Sequence, residues 1–92
     1  MKKSFQYYQD HGHGWIRIPV ALIILVGLED KISNFSYRKG KYAFLEEDCD
    51  GPLVMDALSD RGIEFTLVPK HTDNQSQIRS YPRWYKDADF VN

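Results

Sequence analysis

The stretch from Lys41 to Gly62 constrains the fold of this chain more than any other. Tyr42 and Phe44 alternate with Ala43 and Leu45, the period-two pattern of a strand with apolar groups on both faces. Asp50 is placed to cap the orphan amides of a following helix, and Pro52 suits its first turn, where a missing N–H costs nothing. Leu53, Val54, Ala57 and Leu58 then share one helical face, with Asp56 and Asp60 opposite. Gly62 is placed to end that helix in a left-handed conformation. Glu46, Glu47, Asp48, Asp50 and Asp56 lie near the helix start, where the dipole favours negative charge. The acidic tract therefore has a structural explanation before a functional one.

Around this strand, turn and helix, the rest of the chain reads as sheet and a first helix. Ser4 to Gln9 suits an edge strand, and Asp10 to Gly14 is a glycine-rich turn. Trp15 to Ile18 resumes an extended run, which gives a first hairpin with a five-residue loop, Asp10 to Gly14. Pro19 opens a short apolar helix, Val20 to Val26, and Gly27 stops it. Its β-branched residues also suit a buried strand, but the two punctuating residues favour helix. Asn34 to Arg38 reads as a strand that Lys39 and Gly40 turn back onto Tyr42 to Glu46. Ile63 to Val68 is the last strand, with Ile63, Phe65 and Leu67 on one face and Pro69 ending it. The order is β-β-α-β-β-α-β. Its economical solution is an α+β domain, a largely antiparallel sheet with two helices on one face.

Residues 1–69 are expected to form this compact domain, and residues 70–92 a basic, aromatic C-terminal arm packed on it or extending from it. A chain of 92 residues that is 42% hydrophobic makes one domain with a working core and is not disordered. A net charge of −1 argues against a whole-surface nucleic-acid binder and against a highly acidic mimic of DNA. The single cysteine, Cys49, excludes an intrachain disulfide and a cysteine-rich zinc site. The apolar run Ile18 to Leu28 is about half the length that spans a bilayer, and no secretory pattern opens the chain. The expected location is the cytoplasm, with no membrane partner.

No catalytic constellation emerges. His11 and His13 flank Gly12, and His71 or Asp10 would complete a metal site if the turn curled; a solvated hairpin turn is the simpler account. Cys49 precedes a helix, which lowers a thiol pKa, but sits between carboxylates that raise it, and no partner histidine is evident. Glu46, Glu47, Asp48 and Asp50 match no calcium-loop spacing, yet they exceed what capping requires and suit a ridge facing a partner. Two basic stretches offset them. Lys31 to Lys41 holds Lys31, Arg38, Lys39 and Lys41 with no acid. Lys70 to Lys86 interleaves Lys70, Arg79, Arg83 and Lys86 with Tyr81, Trp84 and Tyr85. Cations between aromatics are what single-stranded nucleic acid uses and what protein hot spots use, and the same composition suits a tail whose Trp84 packs on the sheet. Tyr7, Tyr8, Trp15 and Tyr37 fall on the sheet, where exposed rings would stack on bases.

The segments His13 to Pro19, Ile32 to Tyr37, Tyr42 to Asp50 and Ile78 to Tyr81 resemble short accessory proteins of bacteriophages and plasmids. That resemblance covers nearly the whole chain and carries no functional residue with it. It implies a non-enzymatic binding protein of a mobile element that inhibits a host defence complex, of anti-CRISPR or anti-restriction type, by occupying a surface. The expected partner is a host protein or ribonucleoprotein complex in a bacterial cytoplasm, and no cofactor or metal is implied. The residues expected to carry binding are Glu46, Glu47, Asp48, Asp50, Arg79, Tyr81, Arg83 and Trp84. A single-stranded nucleic-acid module using the C-terminal arm is the alternative, and a homodimer through an exposed sheet edge is a further one.

Overall fold

Strands β1 (Lys2–Gln9) and β2 (Gly14–Pro19) form an antiparallel hairpin with Tyr8 opposite Trp15 and Gln9 opposite Gly14. This is a computed structural model, and it describes residues 2–72 and 76–84. The hairpin loop is one residue shorter than expected, because Gly14 belongs to β2. Asp10 closes the loop, donating its N–H to the His13 carbonyl at 3.0 Å while its carboxylate accepts from the amides of Gly12 and His13, both at 2.9 Å. That is an Asx-turn, the reason aspartate opens such loops.

Helix α1 (Val20–Leu25) follows Pro19, and helix α2 (Asp50–Asp60) follows β4. Both end in the same way. Gly27 (φ 74°) and Gly62 (φ 77°) take the left-handed conformation. The next residue's amide then reaches back, Leu28 to the Ile23 carbonyl and Ile63 to the Leu58 carbonyl. This Schellman arrangement satisfies carbonyls that the helix leaves orphaned and brings an apolar pair together at each end. The β-branched run of α1 stays helical because this stop and the preceding proline bracket it.

Strands β3 (Tyr37–Lys39) and β4 (Tyr42–Glu46) pair antiparallel, Lys39 opposite Tyr42, around Gly40 at φ 60°. A glycine with positive φ at the first loop position suits a tight two-residue hairpin. The expected strand from Asn34 is therefore displaced, and Phe35 lies outside it, 65% exposed. Strand β5 (Glu64–His71) completes a five-stranded sheet in the order β3-β4-β2-β1-β5, parallel at β1–β5 and antiparallel elsewhere. The α+β architecture and the element order are those read from the sequence.

Two placements differ from expectation. Strand β1 is interior, because α2 carries the chain back so that β5 lies beside it. Strand β5 runs through Pro69 instead of stopping there. The amide of Thr72 donates to the Gln9 carbonyl at 2.9 Å, which sets the phase of the ladder. Odd-numbered β5 residues then turn their N–H outward, so the donor that Pro69 lacks faces the outer edge of the sheet formed by the described residues, where proline is tolerated.

Each sheet face carries a packed cluster. On one, Phe5, Ile16, Ile18 and Leu45 pack against Ile23 of α1 and Leu58 of α2. On the other, Trp15, Tyr37 and Phe44 pack beneath Ile78, which belongs to the 3-10 turn Gln77–Ser80. From there the chain rounds the β3 edge. The Pro82 carbonyl accepts from Arg38 N–H at 2.8 Å, and Trp84 N–H donates to the Ser36 carbonyl at 2.9 Å. Trp84 then enters the helix-side core, fully buried, with its indole N–H 3.2 Å from the Glu29 carbonyl.

Candidate functional site

Four of the residues expected to bind a partner converge on one groove. Glu46 comes from the end of β4, Asp48 from the acidic turn after it, and Arg79 and Arg83 from the C-terminal segment. The groove encloses about 450 Å³, and its floor and lip add Trp15, Tyr37, Phe35, His13 and Cys49. Blocks some thirty residues apart in sequence thus meet because the C-terminal segment folds back over the sheet face that bears Trp15 and Tyr37.

Each guanidinium lies over an aromatic ring. Arg79 stands 5.3 Å from the Trp15 ring centre and Arg83 4.8 Å from that of Tyr37. Such contacts hold a cation by the ring's negative face. Arg83 also donates to the Asn34 carbonyl at 2.7 Å. Arg79 is further fixed by Asp10, Nε to Oδ2 at 2.7 Å and Nη2 to Oδ1 at 3.0 Å, and the Ser76 amide donates to the same carboxylate. Arg79's hydrogen bonds, assisted by the backbone amides, outweigh burial and hold Asp10's carboxyl well below the usual carboxylate range. The same pairing raises the pKa of Arg79. Its charge is thus spoken for, and the groove's net character is acidic. Glu46 accepts from the Asp48 amide at 2.8 Å and lies 3.6 Å from His13 Nδ1.

Asp50 is buried, so it cannot face a partner, and it does not cap α2. Cys49 holds the cap position without a side-chain bond. The Asp50 carboxylate instead accepts from the Ser33 amide at 3.1 Å, the Ser33 hydroxyl at 2.7 Å and the Ser36 hydroxyl. Ser36 Oγ accepts in turn from the Glu46 amide at 3.0 Å, and Ser33 Oγ from the Phe35 amide at 3.1 Å. One buried carboxylate therefore ties the loop presenting Phe35 to the strand end presenting Glu46.

The remaining expected residues lie elsewhere. Glu47 accepts from the Tyr7 hydroxyl, and burial, with that bond and charge, pushes the Tyr7 pKa up to about 12. Tyr81 packs on Phe44 at 5.1 Å between ring centres, with the Lys39 ammonium 4.7 Å from its own ring centre. Trp84 is a core residue, removed from any surface by its apolar bulk and its partnered indole. Tyr85 and Lys86 lie outside the described residues. Of the expected metal set, Asp10 is committed to Arg79, while His11 and His71 are exposed. Among the described residues no three His, Cys, Asp or Glu side chains are grouped to hold a metal.

Sequence reasoning missed Phe35 and His13 as groove residues, and the Asp10–Arg79 pair. The Asp-His-Gly-His run does signal an Asx-turn, but nothing local points to an arginine 69 residues away. Compared with known proteins, the chain matches no family model, no curated protein and no solved structure.

Proposed function

We propose that this chain is a non-enzymatic binding protein that acts by occupying a partner's surface, with the Glu46–Phe35–Arg83 groove as its docking site. The observation that carries this is Phe35, a large apolar ring 65% exposed on a loop that buried Asp50 holds in place. An aromatic anchor already fixed in its bound position loses little freedom on association, which is how a few residues come to dominate an interface. Glu46 and Asp48 beside it would receive a partner's lysine or arginine and set the orientation of docking.

The partner is a host protein or ribonucleoprotein complex of a defence system in the bacterial cytoplasm. The resemblance of His13 to Pro19 and Tyr42 to Asp50 to segments of short bacteriophage and plasmid accessory proteins is what suggests that context. Among the described residues no helix is long and apolar enough to cross a membrane. Base stacking by the C-terminal arm has less support, since Trp84 is buried and Arg79 is paired.

The test is capture from host extract with and without nuclease, read by mass spectrometry, for the native chain and for Phe35→Ser and Asp48→Lys. A nuclease-resistant, stoichiometric protein that either variant loses, with affinity down about thirtyfold for a hot-spot ring, supports the reading. Undiminished capture by both variants overturns it.

A further inference from the structure

The sheet face bearing Trp15 is covered by the C-terminal segment over only part of its extent. Among the described residues nothing covers the rest, which carries cations. Ser4 and Thr66 meet on it through their hydroxyls at 3.3 Å, so alternation puts Lys70 there too. Arg17 shares it with Trp15, and Lys39 with Tyr37. Three adjoining grooves, of about 470, 500 and 580 Å³, border this area; the first reaches round to Phe5 and Leu22 on the helix side, the third lies at the β3 edge, and Lys70 stands beyond them on β5. The first two share Arg17, and the last two share Gln77 and Tyr81. No described carboxylate lines any of them. The strand carboxylates Glu46 and Glu64 stand at the ends of their strands, at the margins of the face.

Aromatic rings accompany the charges. Arg17 lies 4.4 Å from the centre of the Tyr42 ring, which is 37% exposed, and Lys39 lies 4.7 Å from that of Tyr81. We propose that this face, by the juxtaposition of Arg17, Lys39 and Lys70 with Tyr42, binds a single-stranded nucleic-acid segment. The cations take successive phosphates and the tyrosine stacks on a base. Four strand spacings of ~4.8 Å make the face ~19 Å across, room for a few nucleotides. A net charge of −1 over the whole chain conceals this, because Glu46 and Asp48 line the Phe35 groove while no described carboxylate lines the grooves on this part of the face. The proposal stands on a surface separate from that groove and does not depend on it.

The test is fluorescence anisotropy of the full chain with a fluorescein-labelled oligothymidylate of roughly twelve nucleotides. Binding at low salt is expected, with a log–log salt slope of about −2 for three phosphates neutralised at ~0.7 each. Lys39→Gln and Arg17→Gln each reduce that slope by ~0.7. Tyr42→Ala weakens binding roughly five- to hundredfold, and Arg83→Gln, in the other groove, leaves it unchanged. Lys39→Gln alters an exposed residue at the end of β3 and keeps the test open should another variant unfold. Absence of binding at low salt overturns the proposal, as does binding that Lys39→Gln and Tyr42→Ala leave intact. Equal affinity for polyglutamate of matched charge also overturns it, and assigns the face to an acidic peptide.

Discussion

Replacing Asp10 by Asn removes the charge from the most heavily used carboxylate in the described chain. Asp10 accepts five hydrogen bonds, from the Gly12, His13 and Ser76 amides and twice from Arg79. Its own side chain is 0% exposed and that of Arg79 is 25% exposed. Removing one partner of a buried ion pair costs about 3–5 kcal/mol. The partial exposure of Arg79 and the Oδ1 that asparagine keeps for the loop amides put the expected loss at about 2–4 kcal/mol. For a chain of this size, whose total stability is about 5–14 kcal/mol, that is a large fraction. The pH dependence gives a second, sharper test. Arg79 depresses the pKa of Asp10 in the folded state. The contribution is therefore complete above the unfolded value near pH ~4 and is lost as pH falls toward the folded one, by about 1.4 kcal/mol per pH unit. Urea unfolding followed by tryptophan fluorescence, at about pH 7 and about pH 3, measures both. The gap between native chain and variant should narrow by about 1 kcal/mol at the lower pH. An unchanged midpoint in Asp10→Asn, or a gap that does not narrow in acid, refutes the argument.

Two further outcomes follow from the C-terminal closure and the open edge. Trp84→Ala empties a fully buried site and strands the Glu29 carbonyl; a loss of about 3–5 kcal/mol in the same assay is expected, and a loss under about 1 kcal/mol would show that the β3 edge holds without its plug. Pro69→Val restores an outward N–H on an edge strand that exposes Leu67 and Val68, each 39% accessible. That should promote edge-to-edge association, seen as a concentration-dependent rise in mass by light scattering, and an unchanged mass would mean that Pro69 does not guard the edge.

The elements of this fold were legible because their signals are local. Gly27 and Gly62 end helices where only a left-handed residue serves, Gly40 turns a hairpin, and alternation marks Tyr42 to Glu46 as a strand. Each depends on backbone preferences within a few residues. The element order then restricts the fold to a sheet with helices on one face. The acidic and basic blocks were legible as composition, but their meeting was not.

What tertiary structure alone decided involves partners far apart in the chain. Local pattern does not distinguish β1 as an edge from β1 as an interior strand, since that depends on where α2 delivers β5. Asp50 looks like a helix cap until Ser33 and Ser36 are brought beside it, and only then does its burial become affordable, because every buried carboxylate needs donors. Arg79 and Trp84 read as partner-binding residues of an arm packed on the domain or extending from it, and only the fold shows that one is bound by Asp10 and the other fills the core. A side chain's chemistry is written in its residue type. Whether that chemistry faces a partner or satisfies the protein's own interior is settled by which distant groups the fold places against it.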